Sequence, residues 1–449
     1  MKRASMSLLL GILNSVVQVL LGSASKPQPV RILLGLVIGL LAGALLVPRT
    51  GMPIADWVHP VGKAWLNGLQ MTIVPLVVAL LITGVTATAE AARAGKLAGR
   101  AIALYVTVLF LSAVAAAILT PLFLELWPLP QESAASLRAA LSGAEQVGPM
   151  PPLGDFFAAI IPANIIKAAA ENAFLSLIIF SLIFAFAMTR VPEDARKLLV
   201  GFFAAIRDVM LVVINWVLWV GPIGVFALAM VVGAEAGTGA FGALIHYILV
   251  VAGVGLVVTL FAYPVAIFGG RIRFVRYARA ALPSQAVALS TQSSLATLPV
   301  MIEGAAELDV PVSVSGVTLP LAVAIFRATG PAMNFAVAIY VATWFGVPLS
   351  PATLAIGAVV ATLTSLGSVS LPGTVSYVSA IAPVSSTIGA PLSPLGLLVA
   401  VETLPDIMRT VGNVTWDLAT TAWLKRGAGK VEMTEADALL QQDVIKTES

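Results

Sequence analysis

Long apolar runs, one after another from residue 30 onward, constrain this chain more than any other feature of its sequence. A helix of about 20 apolar residues crosses a bilayer. Runs of that kind lie near 30–48, 59–88, 99–122, 155–189, 198–233 and 243–269. Packing so many into a water-soluble globule would need a polar surface that the sequence does not supply. Only 10% of its 449 residues are charged and 59% are hydrophobic, whereas soluble domains carry about 25% charge. The chain therefore belongs in lipid, as an all-α membrane protein. Its formal charge of +3, thinly spread, gives no footprint for nucleic acid. With no cysteine there is no disulfide or thiolate site. The two histidines, His59 and His246, lie far apart and outside any metalloprotease pattern. No nucleophile–histidine pair or nucleotide loop is evident, so neither an enzyme nor ATP hydrolysis is expected.

Basic residues set the orientation, because cytoplasmic loops concentrate Lys and Arg. One set of connections carries Arg93, Lys96 and Arg100, then Arg190, Arg196 and Lys197, then Arg271, Arg273, Arg276 and Arg279. The alternate set, at 47–58, 123–154 and 234–242, holds few basic residues and several acids. Both termini are thus expected in the cytoplasm of a cell whose inner membrane the chain spans. The segment 1–28 resembles a signal peptide, but it fits an interfacial or first membrane helix better; Gly22-Ser23-Ala24-Ser25 leaves cleavage open. Residues 121–152 read as an external loop, and 427–449 as a cytoplasmic tail.

Beyond residue 280 the apolar pattern breaks twice in the same way. Ser290-Thr291-Gln292-Ser293-Ser294-Leu295-Ala296-Thr297-Leu298-Pro299 forms one polar tip, and Ser365-Leu366-Gly367-Ser368-Val369-Ser370-Leu371-Pro372-Gly373-Thr374 the other. A long apolar helix follows each, the first interrupted at Arg327-Ala328-Thr329-Gly330-Pro331. Irregular backbone at membrane depth is tolerated only where protein or a wet cavity covers it, and paired interruptions point to a midplane binding site. Two re-entrant hairpins are the expectation, with ordinary Ser-rich loops as the alternative.

The last apolar span carries a polar ridge. Glu402, Asp406, Arg409, Asn413 and Asp417 recur at intervals of 4, 3, 4 and 4 residues and fall on one helical face. A charge at mid-bilayer costs about 2.5–3.5 kcal/mol on insertion scales, so this face must meet protein or a cavity. Arg409 offers a planar fork for a carboxylate and Asp406 a counter-charge for an ammonium. That combination suits an acidic amino acid. The competing reading is an internal ladder in which Asp406 and Arg409 neutralise each other.

The ridge is also where a family resemblance enters. Asp406-Ile407-Met408-Arg409-Thr410-Val411-Gly412-Asn413-Val414-Thr415-Trp416-Asp417 resembles the D-x-x-R-T-x-x-N-V-x-x-D last helix of the glutamate transporter family, the dicarboxylate/amino acid:cation symporters. Ser293 to Pro299 resembles that family's first hairpin and Ser365 to Gly373 its second. Gly221-Pro222-Ile223-Gly224-Val225-Phe226-Ala227 and the Met71–Pro75 stretch resemble further family segments. The likeness runs from about 29 to 426 and marks a divergent prokaryotic member.

The resemblance implies eight transmembrane helices plus two re-entrant helical hairpins, built as inverted repeats in an elevator-type homotrimer. It places mainly scaffold helices in 29–280, with the third and sixth belonging to the transport domain, and the transport-domain core in 281–426. By motif position Asp406 binds the substrate ammonium and Arg409 its side-chain carboxylate. Asn413 and Ser294 take the main-chain carboxylate and Thr410 helps to orient them. Ser293, Thr329 and Gly373 complete the site, and the second hairpin closes it. The acid at 406 favours an amino acid over a dicarboxylate.

The chain departs from the family where sodium is held. The family's N-M-D-G-T has its counterpart, on this reading, in Pro331-Ala332-Met333-Asn334-Phe335, with Arg327 upstream in place of a glycine. Phe335 would then narrow the pocket, and a Thr–Ser pair on the third helix becomes Leu111-Ser112. Arg327 is expected to stand in for a sodium ion beside Asp417. Coupling would pass to fewer sodium ions, to protons through Glu402 or Asp417, or to none. A residual sodium site at Thr329, Ser365 and Ser368 is the remaining metal expectation. No other cofactor is implied; the partners are a small-molecule substrate, lipid and two further copies of the chain. A dicarboxylate or neutral amino acid symporter and a channel-like anion conductor stay open as alternatives.

Overall fold

The computed structural model describes residues 28–50, 54–93, 95–129, 135, 161–237, 239–367 and 373–427. The segment 1–27, most of the 121–152 loop, Ser368 and the rest of the second polar tip, and the tail from 428 onward lie outside these. The described chain is helical, with the longer helices α1 (Gln28–Thr50), α2 (Ile54–Gln70), α3 (Ile73–Arg93), α4 (Lys96–Leu126), α5 (Phe174–Met188), α6 (Glu193–Trp219), α7 (Gly221–Ala236) and α8 (Gly239–Leu260). After these come α9 (Phe274–Thr291), α10 (Ser294–Glu307), α11 (Val312–Ile325), α12 (Gly330–Trp344), α13 (Pro351–Gly367), α14 (Gly373–Thr387) and α15 (Thr403–Leu424). Several are long and apolar enough to span a bilayer.

Three expected spans need correction. The run 59–88 is two helices, because α2 stops at Gln70 and α3 begins at Ile73. The run 198–233 divides at Val220, where Gly221-Pro222 starts α7; proline at a first turn costs no hydrogen bond. Within 155–189 the long helix begins only at Phe174, after a short one at Ile165–Ala170. Residues 121–126, expected in a loop, extend α4 through Pro121.

Close backbone contact organises the first part. Gly35, Gly39 and Gly43 lie at four-residue spacing on α1 and face Pro222, Phe226 and Met230 of α7. A Cβ built on Gly39 would sit 2.8 Å from the Ala229 methyl. Without a hydrophobic drive between helices in lipid, such small-residue seams let dispersion forces hold them. Gly224 makes room in the same way for the Trp65 ring of α2, whose Nε1 donates to Val217 O at 2.8 Å. By contrast α6 packs little: Leu198, Phe202, Val209, Val212, Trp216 and Trp219 are all exposed.

The first polar tip is a two-residue turn between antiparallel helices. Gln292 takes the left-handed conformation (φ 52°) and ends α9, and the Ser293 hydroxyl caps α10 by accepting from Ala296 N at 3.2 Å. At the other end Arg276 binds Asp309 at 2.7 Å and Glu307 O at 2.6 Å, closing the base. Both arms pack on α15. With 14 residues, α10 is about 21 Å long, short of a bilayer's hydrocarbon thickness.

The break ahead of α12 overlaps the interruption expected at Arg327–Pro331 and begins one residue earlier. Helix α11 ends at Ile325, Phe326 is extended (φ −109°, ψ 93°), and α12 starts at Gly330. Residues 331–335 are regular helix, with Pro331 in the first turn of α12. Met333 packs on Gly255 of α8 and Phe335 on Gly357 of α13. Both are core residues, and Phe335 narrows no pocket at the break. The irregular stretch is Phe326-Arg327-Ala328-Thr329, and Arg327 lies inside it.

Replacing Gly39 by Leu should push α1 from α7 and cost about 1–3 kcal/mol through overpacking. A fall in melting temperature in detergent would register it. Gly201→Ala on α6, where nothing lies within 4 Å of an added Cβ, should leave that temperature unchanged.

Candidate substrate and ion site

The ridge of α15 is buried along its whole length. Glu402, Asp406, Arg409, Thr410, Asn413 and Asp417 are each less than 8% exposed, and Glu402 and Asp417 not at all. Helix α15 can hold them because α8, α9, α10 and α11 pack around it.

At the upper end Arg409 gathers two carboxylates. Its Nη1 donates to Asp406 Oδ1 at 2.9 Å and to Glu402 Oε1. The internal ladder foreseen from the sequence is thus real, but it engages one nitrogen of the fork. Nε and Nη2 of Arg409, and Oε2 of Glu402, have no hydrogen-bond partner among the described residues. A buried donor left unpaired costs about 1–3 kcal/mol, more when charged, so the open side of this guanidinium is a strong acceptor-seeking feature. Nearby, the hydroxyls of Tyr247 on α8 and Tyr377 on α14 bond each other at 2.9 Å. Both lie within coulombic reach of Glu402 and Arg409.

Thr329 ties the break to the ridge. Its backbone N donates to Asn413 Oδ1 at 3.1 Å, and its hydroxyl lies 2.8 Å from both Asn413 Oδ1 and Arg409 O. Gly412 allows this approach, since a Cβ there would collide with the side chains of Thr259 and Thr329. The free backbone of the unwound stretch is thereby satisfied by α15, as burial demands. Phe326 stacks on Tyr105 of α4 with ring centres 4.4 Å apart and planes 12° apart.

Other residues singled out from the sequence play smaller parts. The Thr410 hydroxyl bonds back to Asp406 O at 3.0 Å within its own helix. Ser293 caps α10, Ser294 beside it is half-buried, and Gly373 opens α14. Ser365 donates to Ala361 O at 2.8 Å. On α4 Leu111 faces outward, whereas Ser112 is buried with no hydrogen-bond partner among the described residues. His246 is a packing residue: Nδ1 meets the Tyr340 hydroxyl at 2.9 Å and Nε2 meets Trp127 O at 2.8 Å. Lys167 and Glu171 form an exposed helix-end pair at 3.8 Å.

At the lower end Asp417 is fully buried, with Tyr105, Tyr277 and Arg327 within coulombic reach. Neither of its oxygens has a hydrogen-bond partner among the described residues. Sequence reasoning missed the Tyr247–Tyr377 pair, because two isolated tyrosines 130 residues apart leave no local pattern.

The sequence matches known transport proteins over most of its length. The model of the sodium:dicarboxylate symporter family matches residues 29–426. The "Proton/sodium-glutamate symport protein" of Bacillus subtilis (strain 168) is 26% identical over 424 residues, covering 93% of this chain and 96% of its own length. The "Proton/glutamate-aspartate symporter" of Escherichia coli (strain K12) is 26% identical over 416 residues, 88% of this chain and 92% of its own. The "C4-dicarboxylate transport protein 2" of Bradyrhizobium diazoefficiens is 28% identical over 355 residues, 77% of this chain and 76% of its own.

Thr329→Val keeps the shape and removes both hydroxyl contacts. It should cost about 1–3 kcal/mol, read as a lower melting temperature. Thr410→Val, which removes only a bond within one helix, should lower it less.

Proposed function

Because the chain belongs to the sodium:dicarboxylate symporter family, we propose that it is a secondary transporter carrying an acidic amino acid of the aspartate or glutamate kind across the cell's inner membrane. The observation that carries this reading is the half-used Arg409 fork. Glu402 and Asp406 neutralise the guanidinium and fix its plane. Its Nε and Nη2 are left for a bidentate carboxylate. Asp406, one helical turn before it, is the counter-charge for the substrate ammonium. Asn413 presents its amide nitrogen to a second carboxylate, its oxygen being held by Thr329. Ser293 and Ser294 at the first hairpin tip, and Gly373 at the second, close the site from either side.

Eight transmembrane helices and two re-entrant hairpins, arranged as inverted repeats, complete the proposal. The scaffold is α1–α3 and α5–α7; the transport domain is the 281–426 core joined by α4 and α8. The packing of α4 on α12 and α13, and of α8 on α15, supports that division. Helix α9 (Phe274–Thr291) crosses the 280/281 boundary, so the mobile unit starts at the hairpin's first arm. The exposed apolar side of α6 suits contact with two further copies of the chain in a trimer, and the domain would move as an elevator with both termini in the cytoplasm.

Cation coupling is altered. Sodium requires several oxygen ligands, yet Phe326 and Ala328 bring no side-chain oxygen to the break. The hydroxyls of Thr329 and Ser365 donate to protein acceptors, which leaves their oxygen lone pairs for a residual sodium site with Ser368, a residue outside the described ones. Coupling to a proton or to fewer sodium ions follows. A dicarboxylate substrate is the second reading, because a relative of comparable similarity carries that name; Asp406 weighs against it.

A thermal-shift screen of the purified chain against aspartate, glutamate, succinate and neutral amino acids, each in sodium or potassium, tests the assignment. Aspartate or glutamate should stabilise most. Arg409→Lys should weaken binding by at least about tenfold, equivalent to about 1.4 kcal/mol. Asp406→Asn should weaken amino acid binding to a similar degree and spare succinate. Stabilisation by succinate alone would replace the amino acid reading, and a substrate-independent ion leak in proteoliposomes would replace the transporter by a channel.

A further inference from the structure

Asp417 poses a problem that the substrate site does not solve. It has no exposed surface, and neither carboxylate oxygen finds a hydrogen bond among the described residues. An ion so placed is strongly disfavoured by desolvation unless a counter-charge stands near. The groups facing it from the neighbouring elements are Tyr105 on α4, Tyr277 on α9 and Arg327 in the break between α11 and α12. Of these only Arg327 brings positive charge.

The backbone holds Arg327 there from both sides. Phe326 before it is stacked on Tyr105, and Thr329 after it is bonded to Asn413 and to Arg409 O. Its Cβ stands beside Gly330, next to the Ser365 hydroxyl. From this position its charge reaches Asp406 as well as Asp417 and opposes Arg409. Three carboxylates, Glu402, Asp406 and Asp417, thus face two guanidinium groups. Without Arg327 they would face one.

We propose that Arg327 is a tethered cation, supplying permanently at Asp417 the positive charge that an exchangeable cation would otherwise have to bring. This deepens the transporter reading and rests on it for its meaning: at this position no sodium ion is required for substrate to bind, and the chain is coupled to one cation fewer than a relative with a neutral residue there. Because the guanidinium also reaches Asp406, it lowers the field felt by the substrate ammonium and links the two ends of the ridge.

The test needs no substrate, so it stands apart from the assignment of what is carried. Melting temperatures of the full chain in detergent are measured in sodium chloride and in choline chloride at equal ionic strength. The variants are Arg327→Met, Asp417→Asn and the double variant. The wild type should melt at the same temperature in both salts. Arg327→Met should melt several degrees lower in choline and recover part of that loss in sodium, because an ion can then enter beside Asp417. The double variant should lose less than the two single losses added together, the signature of a coupled pair. If Arg327→Met does not fold in either salt, Asp417→Asn in that background should restore folding, and Arg327→Lys should keep the sodium-independent behaviour. Sodium stabilisation of the wild type as large as that of Arg327→Met, additive losses, or no rescue by Asp417→Asn would each overturn the proposal.

Discussion

A guanidinium inside an apolar helix bundle must be surrounded by acceptors, and much of the last third of this chain is arranged to meet that demand. Glu402 and Asp406 lie on the same helix as Arg409, so their partnership is set by helical spacing alone. What spacing cannot provide is the remainder of the fork. A buried ion pair of this kind adds little to stability, since desolvation offsets attraction. What it leaves is an oriented donor pair, Nε and Nη2, in a dry interior.

The division between what the sequence revealed and what it hid follows from physics. The α15 ridge was legible because charges are rare in an apolar span and five polar residues at helical spacing define a face. The first hairpin was legible because a serine cap and a proline interrupt an apolar run. Helix ends inside long apolar runs were read less well: Asn67-Gly68, Gln70 and Pro75, the last in the first turn of α3, mark the division of 59–88, but the hydropathy of the run outweighs them. The break before α12 was legible to within a residue or two, because Arg327, Thr329, Gly330 and Pro331 interrupt an apolar run. Pro331 belongs to the helix that follows, since proline at a first turn begins a helix as readily as it ends one. What the residues could not show was that Thr329 reaches across to Asn413.

The two regions of the molecule hold together by different means. Between α1 and α7 glycines bring backbones into contact, a seam that tolerates no added atom and therefore little sliding. Around α15 the contacts are side-chain hydrogen bonds and ring stacking, among them Tyr105 to Thr318 O at 2.9 Å and Trp416 to Val258 O at 2.9 Å. The first suits a fixed frame. The second suits a body that keeps its interior intact while its surroundings change.

The bonds from Thr329 to Asn413 and to the backbone of Arg409 join residues 84 and 80 positions apart in the chain. In descent these positions form a single hereditary unit. A mutation that lengthens or removes either side chain leaves its partner stranded in a dry interior, so lineages that alter residue 413 should be those that have also altered residue 329.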